Sequence, residues 1–235
     1  MSIKTNLEHI REDIAQAARN CGREENSVKL IAVTKLHSAE EINEAIDNGV
    51  TDIGENKVQE IMDKYPKVKE GVKWHLIGHL QRNKVKYIID KVDMIHSVDS
   101  MKLAEEIEKR CQGVNRTMDV LIQVDYTDEV TKFGALPSEA PTLIKDIKES
   151  CPSLNIRGLM TIGPFTDDED KIRDCFRKVK DLMEKLKVDN DDLRHMDTLS
   201  MGMSGDFQIA IEEGSTAVRV GSAIFGQRDY RSEEK

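Results

Sequence analysis

A lysine closes the apolar run Leu30-Ile31-Ala32-Val33-Thr34-Lys35 and is the first group in this sequence that could do covalent chemistry. Alternation along an extended chain puts Ile31, Val33 and Lys35 on one face. If that face turns into an apolar interior, desolvation favours the neutral, nucleophilic amine that Schiff-base formation needs. The alternative is a lysine that leaves the strand and reaches water. A second group of residues gathers near the C-terminal end. Ser200-Met201-Gly202-Met203-Ser204-Gly205-Asp206 reads as a loop entering a helix, with Ser204 as its N-cap. Free amides at such a start can take an anion, and Gly205 allows close backbone approach. Gly221 and Ser222 add further amides and a hydroxyl. Arg219 shares a face with Ala217 and Gly221. Turned inward, its guanidinium needs a polar partner, because a buried unpaired charge is costly. That partner is either an internal carboxylate or the ring nitrogen of a heteroaromatic ligand.

Other polar residues at the ends of apolar runs carry weaker signals. Asn56 can contact a ligand or cap the helix that follows, while its neighbours Glu55 and Lys57 read as surface or rim charges. His75 and His79 fall on one face with Ile77 between them. No third ligand stands at a metal-binding spacing, so packed or rim histidines are expected and no metal site is assigned. Met160 either packs the interior or walls a ligand. A nucleophilic lysine, an anion cradle and a guanidinium facing a ring nitrogen together describe pyridoxal 5′-phosphate. An always-protonated arginine keeps the pyridine nitrogen unprotonated. That weakens the cofactor as an electron sink and speaks against ordinary transamination.

These residues sit in a regular alternation of elements. Apolar, β-rich runs fall at 28–35, 50–56, 72–79, 93–100, 118–126, 155–163, 197–203 and 216–226. Several are nearly continuous, as parallel strands covered by helices require. Ser38-Ala39-Glu40-Glu41 forms a capping box, and the helix it opens ends near Asn48-Gly49. Further helical patterns occupy 57–65, 80–91, 101–112, 138–150, 168–187 and 205–214. An amphipathic segment with Ile3, Leu7, Ile10, Ile14 and Ala17 at helical spacing precedes them all. Eight such alternations in 235 residues predict an α/β chain: a single-domain (β/α)8 TIM barrel over residues 1–230, with an extra N-terminal helix and a polar tail at 231–235. The alternative is an open doubly wound sheet, but its glycine-rich phosphate loop is missing after the first strand.

Composition narrows the function classes. With 44 acidic against 35 basic residues the net charge is −9, so the basic footprint of a nucleic-acid binder is absent. No apolar run is long enough for a membrane span, and the charged amphipathic start is not a signal peptide. Cys21, Cys111, Cys151 and Cys175 lie far apart without a Cys-x-x-Cys pair. Neither a metal knuckle nor a secreted disulfide framework is expected, and a reducing cytoplasm is the simplest setting.

In their order and spacing, these segments resemble the pyridoxal phosphate homeostasis protein family, single-domain relatives of the alanine racemase barrel. The matching stretches are AVTK ending at Lys35, GENKVQE at 54–60, WHLIGHLQRNK at 74–84 and HSVDS at 96–100, then RGLMTIG at 157–163, LSMGMSGDF at 199–207 and VRVGSAIFG at 218–226. The resemblance covers essentially residues 1–230. It implies pyridoxal phosphate held as a Schiff base on Lys35, with its phosphate on Ser204, Gly205, Gly221 and Ser222 and its ring nitrogen on Arg219. Asn56, Met160 and Ser200 are further contacts in this reading. The resemblance also implies a role in intracellular cofactor homeostasis and amino-acid and keto-acid balance. It assigns no catalytic residue, and cofactor-dependent apo-enzymes would be the recipients. A monomer is expected, with a dimer left open. Gly205 stands where an acidic residue is common in the family, which a backbone contact tolerates. Racemising relatives carry a further β domain and a second-base tyrosine. Tyr65, Tyr87, Tyr126 and Tyr230 stand in no matching motif and the sequence ends early, so two-base racemisation is not expected. The alternatives are a weak racemase or lyase of the same cofactor, with His79 and Lys57 as bases, and a cofactor-free Schiff-base aldolase.

Overall fold

The structure, a computed structural model, describes residues 2–127 and 133–226, so the expected tail and Tyr230 lie outside the described residues. The chain opens with α1 (Ile3–Asn20) and then alternates: β1 (Lys29–Val33), α2 (Ala39–Asp47), β2 (Asp52–Glu55), α3 (Val58–Lys64), β3 (Lys73–Leu76), β4 (Met94–Val98), α4 (Met101–Gly113), β5 (Met118–Gln123) and α5 (Ala140–Ser150). β6 (Leu154–Met160), α6 (Glu169–Asp189), β7 (Thr198–Ser200), α7 (Phe207–Glu212), β8 (Ala217–Val220) and α8 (Ser222–Phe225) complete it. All the strands are parallel and close into a barrel in sequence order, β8 pairing with β1. This is the expected (β/α)8 barrel with an added N-terminal helix.

Strand alternation builds two apolar layers. Ala32, Ile53, Leu76, Ile95, Val120, Ile156, Val218 and Val220 are buried between strands and helices, in one cluster with Ile42, Ile61, Ile107, Ile147 and Phe176. The opposite faces fill the barrel: a Cβ on Gly54 would lie 3.0 Å from the side chains of both Ile31 and Ile77. The Ser38 capping box is formed, with the Glu41 amide donating to Ser38 Oγ at 3.3 Å and the Ser38 amide donating to Glu41 Oε2 at 2.8 Å. Such a cap stabilises a helix by about 1 kcal/mol. α1 packs on α2, α7 and α8, burying Leu7, Ile10, Ile14, Ala17 and Ala18, and Asn6 donates to the Ile224 carbonyl at 2.7 Å.

Two local expectations are corrected, and one irregularity is added. The run 216–226 is not one strand: β8 stops at Val220, Gly221 turns the chain with φ −123° and ψ −74°, and α8 follows. The segment 80–91 forms only a 3₁₀ turn over Arg82–Tyr87. Its buried anchors Val85 and Ile88 are three residues apart, a spacing that a three-residue turn aligns. β6 carries an irregularity opposite β5, where Gly158 has φ +152° and a Cβ would lie 1.9 Å from the Thr198 carbonyl oxygen. Only glycine fits there.

Candidate functional site

β1 ends at Val33, so Lys35 lies in the turn beyond the strand, partly buried, at the C-terminal mouth of the barrel. The next residue, Leu36, has φ +65°, a left-handed conformation that costs a non-glycine residue about 1–2 kcal/mol. It is held from both sides. The Leu36 amide donates to Glu60 Oε2 at 2.7 Å, and Lys64 Nζ donates to the Thr34 carbonyl at 2.8 Å. Lys64 also lies 2.7 Å from both Glu55 Oε1 and Glu60 Oε2, and the Thr34 hydroxyl donates to Glu55 Oε1 at 2.6 Å. Glu55 is therefore no rim charge. It is fully buried behind the Lys35 turn, because the last residue of β2 points at α3 and Lys64 reaches it there. Burial pushes its carboxyl above the ordinary range, against the pull of Lys64 and the Thr34 hydroxyl. These residues pin the backbone on either side of Lys35.

Arg219, on β8, is 3% exposed and points into the barrel, where Nη1 donates to Ser200 Oγ at 2.6 Å and Nη2 to the Thr161 carbonyl at 2.8 Å. Both acceptors are neutral, and among the described residues it forms no ion pair. Among the described residues no carboxylate bonds it, so the internal carboxylate weighed as its partner is not found in contact. Only the field of Asp206 supports its charge, while burial lowers its pKa to about 10, still fully protonated at neutral pH. Burial pushes the Asp206 carboxyl up, against the Met203 amide and the Arg219 charge.

The loops after β7 and β8 meet beside it. The Gly221 amide donates to Ser204 Oγ at 3.2 Å. Ser204 is therefore not the cap of α7. Asp206 occupies that position, and its Oδ1 takes the Met203 amide instead. The space around Gly205 is open, with no atom within 4 Å of where a Cβ would stand, and Ser222 begins α8. Asn56 follows β2 and does not cap α3. Its Oδ1 is buried without a hydrogen-bond partner among the described residues. A Cβ on Gly78 would come 2.4 Å from the Asn56 carbonyl, so the chain after β3 presses directly on Asn56. Met160 ends β6 at 1% exposure beside Ser200 in the β6–β7 register.

The structure thus brings Lys35, Asn56, Met160, Ser200, Ser204, Gly205, Arg219, Gly221 and Ser222 to one end of the barrel, with Ser200 lying beneath Arg219. His75 and His79 separate. His75 is buried inside the barrel, while His79 stacks on Phe133 with ring centroids 3.8 Å apart and lies 3.9 Å from Asp99 at the rim. Among the described residues no cluster could hold a metal ion, and no helix is long and apolar enough to cross a membrane. Lys64, Glu60 and Glu55 escaped the sequence reading as parts of the site. The Glu60–Lys64 spacing of four residues was the available signal for the first two.

The family model described as alanine racemase, N-terminal domain, matches residues 5–229. The chain is 43% identical to the pyridoxal phosphate homeostasis protein of Aquifex aeolicus over 95% of its own length and 97% of the relative's. It is 38% identical to that of Escherichia coli K12 over 97% of both. Among solved structures it resembles PipY of Synechococcus elongatus PCC7942, determined with PLP bound, at TM-score 0.85 and 32% identity, covering 96% of this chain and 100% of that one. An alanine racemase of Clostridium difficile shares the fold alone, at TM-score 0.71 and 14% identity, over 98% of this chain and 58% of the other.

Proposed function

From the premise that this chain belongs to the pyridoxal phosphate homeostasis proteins, within the alanine racemase N-terminal-domain family, we propose that its barrel mouth binds pyridoxal 5′-phosphate and carries it for cofactor homeostasis. The observation that carries this reading is the buried Arg219 guanidinium, which meets only neutral acceptors on the ring of strand ends that also bears Lys35. A cation without a carboxylate suits one more neutral acceptor, and a pyridine nitrogen is one. The partnerless Asn56 Oδ1 and the open backbone at Gly205 also fit a ligand there. The PLP-bound relative supports the choice of ligand.

When bound, the cofactor supplies an aldehyde that condenses with an amine, and Lys35 is the amine this mouth offers. Ser204, Gly205, Gly221 and Ser222 would take the phosphate through amides and hydroxyls, with Asn56 and Met160 lining the ring. Arg219, protonated throughout the physiological range, would donate a hydrogen bond to the ring nitrogen but is too basic to give up its proton, so the ring nitrogen stays unprotonated. That disfavours the stabilisation of carbanions on which ordinary transamination depends. The protein therefore holds the cofactor and passes it to apo-enzymes, which supports amino-acid and keto-acid balance. Incubation with pyridoxal phosphate should give a visible absorbance band and, after borohydride reduction, a mass adduct on Lys35 that Lys35→Ala abolishes. An adduct on another side chain, or none, would refute the assignment. α-Proton exchange of amino acids in deuterated water at useful turnover would move the protein among the enzymes.

A further inference from the structure

Beneath Arg219 a chain of polar side chains runs through the barrel interior. Ser200 Oγ lies 3.0 Å from His96 Nδ1, His96 Nε2 lies 2.9 Å from His75 Nδ1, and His75 Nε2 lies 2.9 Å from Asp52 Oδ1. Asp52 stands at the start of β2, where Lys29 Nζ approaches it to 3.1 Å and the Thr51 hydroxyl donates to its other oxygen at 2.8 Å. It borders a cavity of about 860 Å³ at the opposite, N-terminal mouth, which Lys29, Lys73 and His75 also line. Arg219, Ser200, His96, His75 and Asp52 are each 4% exposed or less, so solvent satisfies none of these bonds. A run of polar side chains on β2, β3, β4, β7 and β8 thus crosses the barrel beside apolar filling such as Ile31 and Ile77.

The donors and acceptors leave one arrangement for neutral imidazoles. An ionised carboxylate only accepts, so His75 donates through Nε2 and accepts at Nδ1. His96 must then donate through Nε2 and accept at Nδ1, where the Ser200 hydroxyl donates. Ser200 Oγ is left to accept from Arg219, which can only donate. Every group is satisfied and every bond runs the same way, from guanidinium to carboxylate. Burial, with the Arg219 and Lys29 charges nearby, holds the His96 pKa well below its ordinary value, which keeps that ring neutral.

We propose that Ser200, His96, His75 and Asp52 are positioning residues: a one-way hydrogen-bonded column that fixes the Arg219 guanidinium for the cofactor's ring nitrogen and links it to a carboxylate at the far mouth of the barrel. The proposal rests on the pyridoxal phosphate reading above. Aligned polar groups in a low-dielectric interior reinforce one another, so the column adds strength as well as geometry.

The first test needs no cofactor. Nitrogen-15 spectra of the imidazoles should show His75 and His96 as neutral Nε2–H tautomers, and an Nδ1–H tautomer or an imidazolium in either ring at neutral pH would overturn the column. The second test uses cofactor affinity and the pH titration of the bound cofactor's absorbance. Ser200→Ala and His96→Leu should each weaken binding about tenfold and displace that titration, because a bond to a buried charge is lost. Ser200→Thr and His96→Gln keep one donor and one acceptor and should restore most of both. Asp52→Asn preserves the bond from His75 but removes the charge, so it should shift the titration while the protein still folds. If a Lys35 adduct forms normally and Ser200→Ala and Asp52→Asn both leave affinity within about twofold of wild type, with the titration unmoved, the column is only core filling and the proposal falls alone. A wild-type protein with no Lys35 adduct would instead overturn the cofactor reading, and the column's purpose with it.

Discussion

Replacing Lys64 with methionine tests the idea that the turn bearing Lys35 is held from behind. The change keeps length and much of the apolar volume but removes the ammonium that bonds Thr34 O, Glu55 and Glu60. Glu55 is then a fully buried carboxylate with only the Thr34 hydroxyl as partner. Breaking a buried pair from one side costs about 3–5 kcal/mol. Lys64 is 12% exposed, which places the loss near the lower end, at about 3 kcal/mol. Loosening of Glu60 from the Leu36 amide adds about 1 kcal/mol. The pH dependence has a definite sign. In the folded protein the Glu55 carboxyl already sits above its ordinary value, and Lys64 supplies the two strongest influences holding it down. A carboxyl whose folded pKa is raised favours folding while protonated, and loses that contribution as pH rises through the folded value. Without Lys64 the folded value climbs further, so the loss extends to higher pH. The variant's deficit should therefore be small near about pH 5 and grow towards about pH 7.5. Urea unfolding followed by the fluorescence of the single tryptophan, the buried Trp74, measures it. Adding Glu55→Gln to Lys64→Met should recover part of the loss, because a neutral amide tolerates the site. A deficit under about 1 kcal/mol at neutral pH, or one that is the same at both pH values, would refute the reasoning.

Two further expectations concern the frame. Gly158→Ala places a methyl group on the Thr198 carbonyl at φ +152°, so it should cost more than about 3 kcal/mol or prevent folding, and urea unfolding checks this. Alkylation near about pH 8 should mark Cys21 first, because it is exposed, whereas Cys111 and Cys151 are buried thiols pushed up to about 11 and should react only after unfolding, as peptide mass mapping would show.

The order of elements was legible because parallel strands covered by helices must be apolar on both faces, as Leu30–Val33 and Val120–Ile122 are. The ends were less so: an apolar run such as 216–226 does not reveal that Gly221 turns the chain and that Ser222–Phe225 coil. The residues at the strand ends were legible as a set, since Lys35, the Ser204 loop and Arg219 each carry a recognisable chemistry. Their supports were not. Glu55 reads as one more charge in an acidic sequence until Lys64, nine residues on, folds back over it. His96 looks like an ordinary strand residue, and Ser200 reads as a ligand contact and not as a partner of His96, because only ring closure brings β4 and β7 into contact across the axis. Ser204 was misassigned for a related reason: its nearest partner, Gly221, is distant in sequence.

The first helix gives the fold one further property. It lies over the seam where the last strand meets the first, and its Asn6 side chain is bolted to the carbonyl of Ile224, two residues past Ser222. α1 and α8 are thereby spliced together directly behind the loop proposed to take the phosphate. Any tag, trimming or binding event that tugs on the leading helix would be felt at that proposed phosphate loop, however remote the first twenty residues look when the sequence is read from left to right.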